Sequence, residues 1–443
     1  MSLSLRPAGI DASWQAHARY GALGLPLAFV ALPLYVILPA HYTQALGMPL
    51  AVVGLVLLAV RLLDAVIDPW LGRWADRRLD HPSGAWPAMA IAGLALAAGM
   101  WAVFFPPAGT LVARLAWCVA ALLITCLAFS AASITHQAWG CRLGGNAVQR
   151  ARWVAWREGP GLAGVLLANV VAVTWGPAAM AATLSATMLL GLGALRRAPR
   201  PPWSSSAPLA SLAGAARNAP ARAGLWIEPW RHGAFRHLSL LYLVNGVAAA
   251  IPATLVMFFI QDVVQRPDLA ALFLGLYFAT GAASVPIWVR LVARWGPSRA
   301  WAVGMAGHVL AFGGVMLVGP GDAAAYAAVC LASGLMLGAD LTVPGTLLTG
   351  VLQRLGEAGG PGLSRAGLFT GWWQLLTKLN LALAAGLALP LLAWLGYDPA
   401  DAASHRSPQA MDALRWVYGA VPCAFKLLAL GLWWRLWARQ GQE

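Results

Sequence analysis

Arg61, Asp64 and Asp68 stand together inside one apolar stretch, GLVLLAVRLLDAVIDPWLGRW from Gly54. Separations of three, four and seven residues place them on one face of a helix. An ionised Asp near a bilayer centre costs roughly 2.5–3.5 kcal/mol on insertion scales, and two on one face repel each other. That cost calls for a compensating partner: a bound cation, a shared proton or a basic side chain. Hard oxygen ligands suit Na+ or H+ better than a soft metal. The other reading of the same residues is a structural ion-pair knot with Arg61.

A second set of polar residues lies deep in other apolar stretches. Lys378 sits within GLFTGWWQLLTKLNLALAAG, where no acid accompanies it. Asp64 or Asp68 is then its natural counter-ion, and a lysine that snorkels to the interface is the alternative. Gln374, in the same stretch, is a candidate for the substrate pathway. Lys426 is equally deep and has no evident partner. Asp340 lies in GLMLGADLTVPGTLL with Pro344 four residues on, where a kink and freed carbonyls are expected. Asp340 either gates the pathway, binds substrate or serves as a structural partner or cap. Arg157, beside Glu158 and after Arg150 and Arg152, is the member of that basic run best placed to reach inward. His136, in SITHQAWG, reads as a packed polar residue or a pathway residue.

Catalytic and metal-binding classes find little here. The eight histidines are isolated, with no HxxxH, HExxH or Cys/His cluster, and the five cysteines are scattered. Phosphate loops and nucleophile elbows are missing as well. An enzyme is not expected, nor a metal site beyond Na+ at Asp64 and Asp68, nor any cofactor beyond a Na+ or H+ coupling ion. A polytopic transferase is the remaining enzymatic alternative, and the short outer loops offer it no acid or His/Asp set.

The elements that must position these residues are membrane helices. Of 443 residues 60% are hydrophobic and only 10% charged, against about 25% charged in an average soluble domain. Lipid is the solvent that fits such a chain. Apolar stretches near 20 residues long mark twelve spans: 20–40, 48–71, 86–106, 110–138, 155–175, 177–195, 236–261, 268–290, 299–319, 323–348, 366–394 and 412–437. The Arg-, Pro- and Ser-rich stretch opening with RRAPRPPWSSS divides them. The expected domains are a six-helix bundle at 1–195, a cytoplasmic central loop at 196–235 and a six-helix bundle at 236–443. The net charge of +14 is read through its distribution rather than as a nucleic-acid signal. With both termini in the cytoplasm, most Lys and Arg fall on that side, while outer loops keep Arg266, Arg406 and Arg415. The positive-inside rule therefore predicts a multi-pass protein of a bacterial inner membrane with both termini cytoplasmic.

A faint repeat joins the halves. GLVLLAVRLLDAVIDPWLGRW aligns without gaps on GLYFATGAASVPIWVRLVARW from Gly275, bringing Gly54 onto Gly275 and Arg73-Trp74 onto Arg294-Trp295. Two parallel six-helix repeats are the layout of the major facilitator superfamily. Arg61, Asp64 and Asp68 align with Ala282, Val285 and Val289, so the charged set belongs to the first half alone.

RLLDAVIDPWLGRWADR (Arg61 to Arg77) resembles the second-helix signature of the glycoside–pentoside–hexuronide:cation symporters, the melibiose permease family, with Asp64, Asp68, Pro69 and Gly72 on its pattern. RARWVAWREGPGLAGVLL, NGVAAAIPATLVMFFI and GLFTGWWQLLTKLNLALAAG agree with the fifth, seventh and eleventh helices. The resemblance implies an all-α membrane protein of the major facilitator fold, with about twelve helices in two bundles. It also implies alternating access, a coupling Na+ or H+ on Asp64 and Asp68, Lys378 beside that site and Arg157 near the substrate. GRWADRR (Gly72 to Arg78) would brace rather than do chemistry. The expected partners are the bilayer and a small organic solute, no nucleic acid, and the protein is expected to work as a monomer. The sugar-transporting members carry acids on their first and fourth helices. Here YGALGLPLAFVALPLY and CLAFSAASITHQAWG have none, so carboxylate recognition of sugar hydroxyls is unavailable at both places. An uncoupled facilitator, or a carrier of lipids or amphiphiles, is the alternative on the same fold.

Overall fold

The computed structural model describes residues 13–31, 33–38, 41–45, 48, 50–81, 83–107, 109–201, 226–360, 362–397 and 407–438. Most of the predicted central loop (202–225) and Arg406 lie outside them. The described residues form helices and connecting turns, with no strand. In chain order the α-helices are α1 Trp14–Gly21, α2 Gly24–Phe29, α3 Leu50–Leu79, α4 Trp86–Phe104, α5 Leu111–Leu143, α6 Ala147–Arg196, α7 Glu228–Arg231, α8 Gly233–Phe258, α9 Ala270–Trp295, α10 Pro297–Gly313, α11 Ala323–Glu357, α12 Ala366–Trp394, α13 Pro408–Arg415 and α14 Val421–Trp433.

Local chemistry sets several of these ends. The Thr110 hydroxyl accepts from the Ala113 N–H at the start of α5, and Asn146 with Gln149 forms a capping box on α6. In α6, Gly176 at φ 74° precedes Pro177 and breaks the helix, because only Gly takes that backbone cheaply and Pro cannot donate to the turn before it. The break falls between the predicted spans 155–175 and 177–195.

Nine helices among the described residues are long and apolar enough to cross a membrane. The first, second and fifth predicted spans are not among the nine, and each runs through residues that are not described in full. The first is divided into α1, α2 and short wider-turned segments. The second, in α3, and the fifth, in the first part of α6, carry the charges singled out above. Lipid as solvent shows in α3: Leu55, Leu58, Leu62 and Val66 are exposed, while Val60, Asp64, Asp68 and Gly72 are buried. The helix keeps its polar face inward, the reverse of a soluble amphipathic helix.

The chain divides into two compact units, one of Met1–His232 with Thr349–Leu375, the other of Gly233–Leu348 with Leu376–Glu443. The first unit therefore includes the start of α12. Within it, α3 packs on α5, α4 on α5 and α6, and α1 and α2 on α6. In the second, α14 packs on α8 and α10, and an aromatic core gathers Phe259, Tyr326 and Tyr418, the last two joined through their hydroxyls at 2.8 Å.

Candidate cation and pathway sites

Position along α3 decides which of its charged residues is inside. Asp64 is 2% and Asp68 0% exposed, one helical turn apart, while Arg61 is exposed. Ser130, from the middle of α5, donates its hydroxyl to Asp64 Oδ1 at 2.8 Å. The sequence reading missed Ser130, since a lone hydroxyl in an apolar helix most often bonds its own backbone, as Thr125 and Thr135 do. Pro69, directly after Asp68, supplies no N–H to the carbonyl of Ala65, so α3 has a freed backbone oxygen between the two acids.

Glycine brings α12 against this stretch. A Cβ on Gly72 would overlap the Gly367 carbonyl oxygen, and one on Gly367 would overlap that of Gly72. On Gly371 a Cβ would lie 2.5 Å from the carbonyl oxygen of Asp68. Backbone-to-backbone approach through small residues is how membrane helices pack closely. Beyond the apolar run, Asp76 Oδ1 accepts from Gly367 N at 2.6 Å and Oδ2 from Leu368 N at 2.9 Å. Asp76 thus caps the first turn of α12, where a carboxylate meets orphan N–H groups. Arg142 of α5 donates to Asp76 (2.9 Å), to Asp80 (2.5 Å) and to the Ser364 carbonyl (2.6 Å). Gln374 lies on α12 three residues after Gly371 and is half-buried. Lys378, two turns after Gly371 on the same helix, is also half-buried and belongs to the second unit.

Arg157 and His136 lie elsewhere in the first unit. Arg157 donates through Nε to Glu158 Oε1 at 2.9 Å and pairs with the same oxygen through Nη2. His136 is fully buried: its Nε2 lies 2.9 Å from the Tyr20 carbonyl, and the Tyr20 hydroxyl donates to the His136 carbonyl at 3.0 Å. This reciprocal staple fastens α1 to α5.

Asp340 sits in the second unit, inside a complete polar knot. Its Oδ1 accepts from Asn245 Nδ2 and Trp301 Nε1, each at 2.9 Å, and its Oδ2 from Lys426 Nζ at 2.6 Å. Lys426, 0% exposed, also donates to Asn245 Oδ1 at 2.7 Å. Four helices, α8, α10, α11 and α14, each supply one member. In the sequence Asp340 and Lys426 stand out separately but not as a pair. Their sequence separation exceeds any helix period, so no spacing rule joins them.

The chain matches the family described as MFS/sugar transport protein over residues 19–195 and 213–437. No curated protein sequence matches it. Among solved structures it is similar to a bacterial homologue of the iron transporter ferroportin in an outward-facing state with soaked iron, at TM-score 0.65 and 14% identity, covering 96% of this chain and 99% of that one. A variant of the E. coli fucose:proton symporter FucP is similar at TM-score 0.62 and 15% identity, with 93% and 98% covered. The proton:xylose symporter XylE bound to 6-bromo-6-deoxy-D-glucose gives TM-score 0.62 and 15% identity, with 95% and 94% covered. At these identities the likeness is one of fold.

Proposed function

Because the chain belongs to the MFS/sugar transport protein family and has the major facilitator fold, we propose that it is a secondary carrier of the melibiose-permease-like kind, coupling Na+ or H+ to the movement of a small organic solute. Family and fold point to a transporter rather than an enzyme. The observation that carries the coupling is the pair Asp64 and Asp68, buried one turn apart on a helix whose other face is apolar, with the Ser130 hydroxyl on Asp64.

Two buried carboxylates one turn apart repel each other. A monovalent cation or a proton neutralises half of their charge. Oxygen ligands from Asp64, Asp68 and Ser130 suit a hard cation, and Lys378 is the proposed charge partner of the empty state. Arg157 and Gln374 are the proposed solute-facing polar groups. Asp340 and His136, with their contacts directed into helix packing, are weaker members of the pathway. Cation binding lowers the charge of the α3 face and thereby favours the closed, movable carrier. Solute and cation must then raise each other's affinity by the same factor. The proposed setting is a bacterial inner membrane with both termini cytoplasmic, following the distribution of Lys and Arg.

The test is thermal stabilisation of the purified protein by Na+ at fixed ionic strength, and by H+, in wild type, Asp64→Asn and Asp68→Asn. Coupling predicts stabilisation by one ion, lost in either variant. A wild type indifferent to both ions rejects it. One observation favours a second reading, an uncoupled carrier of amphiphiles: α1, α2 and α5 contain no carboxylate. Solute counterflow in vesicles without any ion gradient dependence would select it.

A further inference from the structure

The chain just before α8 folds back onto the helix that carries the carboxylates. Trp226 packs on two residues of α3: its ring centre is 4.7 Å from that of Trp70, and the Arg73 guanidinium lies 4.3 Å from it. The Trp226 carbonyl accepts the indole N–H of Trp372 at 2.9 Å. Trp230 meets the Trp372 ring edge-to-face at 5.3 Å, and Glu228 pairs with Arg365. The Trp226–Arg231 segment is thereby fastened to α3 on one side and to the start of α12 on the other.

The fastening points are not remote from the acids. Trp70 and Arg73 follow Asp68 by two and five residues on α3. Trp372 directly follows Gly371, the residue that rests on the Asp68 backbone. The two short stretches that form the packing around Asp68 are the same two that hold the tryptophans. Any slide of α12 along α3 that alters the surroundings of Asp68 also shifts Trp372 relative to Trp70, and so strains or releases Trp226. Packed backbones at Gly72, Gly367 and Gly371 leave little room for one movement without the other.

We propose that Trp226 and Trp372 are positioning residues of the cation site: their clasp holds α3 and α12 in one register and so sets the affinity of the Asp64/Asp68 pair. This rests on the cation reading given above. Because coupling is reciprocal, a clasp that biases the register must change cation affinity, and cation binding must change the hold of the clasp by the same factor.

The experiment uses the full-length purified protein in detergent, with Na+ (choline balancing ionic strength) and H+ as the probes. Midpoints of thermal stabilisation are compared for wild type, Trp226→Ala and Trp372→Phe. The second variant keeps an aromatic ring while removing the N–H donor and the rest of the indole, a smaller change that decides the matter if Trp226→Ala fails to fold. The expected result is a cation midpoint shifted on the order of fivefold or more in both variants, with no further shift in the double variant, since the two residues act as one unit. A general loss of stability would lower every melting temperature without moving the midpoint. If the wild type responds to a cation and the variants share its midpoint, the clasp has no positioning role and the coupling reading stands. If the wild type responds to neither ion, the coupling reading fails, and the positioning role fails with it.

Discussion

Asp64 and Asp340 are both carboxylates set among apolar helices, and their surroundings differ in kind. Asp340 has three donors on its two oxygens, one of them the ammonium of a fully buried lysine. Asp64 is held by the neutral hydroxyl of Ser130 and shares its face with a second acid one turn away. An ammonium answers a buried negative charge within the protein itself, and a hydroxyl orients a carboxylate. On the reading proposed above, Asp340 finishes a helix junction and Asp64 serves the ion. The repeat alignment places no acids opposite Asp64 and Asp68, and Asp340, the buried acid paired with Lys426, stands on a different helix of the second unit.

The largest expected effect lies in the second unit. Asp340→Asn leaves the Lys426 ammonium buried without its counter-charge, and breaking such a pair costs about 3–5 kcal/mol. Adding Lys426→Met removes the stranded charge and is expected to restore most of the loss. Thermal melts of the single and double variants in detergent check this. A single variant as stable as wild type would remove the contrast between the two carboxylates.

The next effect tests the backbone contact on which the first site depends. Gly371→Ala puts a methyl group 2.5 Å from the Asp68 carbonyl oxygen, a fixed backbone atom that cannot swing aside. Overpacking of this kind costs about 1–3 kcal/mol and pushes α12 off α3. The melting temperature is expected to fall, and the cation midpoint to rise with it. Gly386→Ala on the same helix, where a Cβ meets nothing within 4 Å, is the control expected to behave as wild type.

How much of this was legible follows from what each feature depends on. Hydropathy is a local quantity, so the long apolar helices and the Gly176-Pro177 break were readable from composition and turn chemistry. The face shared by Asp64 and Asp68 was readable because helix geometry turns spacing into direction. Spacing also put Arg61 on that face, where it is exposed one turn further from the Gly72 crossing. The Lys426–Asp340 pair, the Ser130 hydroxyl and the Trp226 clasp each join segments far apart in the chain. A single sequence specifies such meetings only through the whole fold. The inclusion of Thr349–Leu375 in the first unit belongs with them, since it follows from Gly72–Gly367 packing and the Asp76 cap rather than from any signal inside that segment.

Ser130→Ala is the third test, with an effect of about 0.5–1.5 kcal/mol for one lost hydrogen bond. Ser130→Thr keeps the hydroxyl and is expected to retain the wild-type cation midpoint, whereas the alanine variant should weaken it severalfold. Ion titrations by thermal shift distinguish the two. If the alanine variant keeps the wild-type midpoint, Ser130 serves packing only and the oxygen set around Asp64 shrinks by one.

The smallest stability effect carries the sharpest comparison. Asp64→Asn in cation-free buffer is the same chemical change as Asp340→Asn, so a difference between them comes from the surroundings and not from the side chain. At Asp340 the substitution strands an ammonium. At Asp64 it removes one of two like charges a turn apart and leaves an amide that still accepts from Ser130. Where a mobile ion rather than a fixed charge answers Asp64, relief of repulsion offsets the lost charge-assisted hydrogen bond, and the net change is expected within about 1 kcal/mol of zero. Chemical denaturation of the detergent-solubilised protein at fixed pH measures both variants on one scale. Should Asp64→Asn prove as costly as Asp340→Asn, the carboxylate of α3 is answered by a fixed positive charge, and the knot with Arg61 or the pairing with Lys378 replaces the mobile ion as its partner. Should it cost little while abolishing the response to Na+ or H+, the charge at Asp64 serves ion binding, and the two carboxylates differ in function as they differ in surroundings.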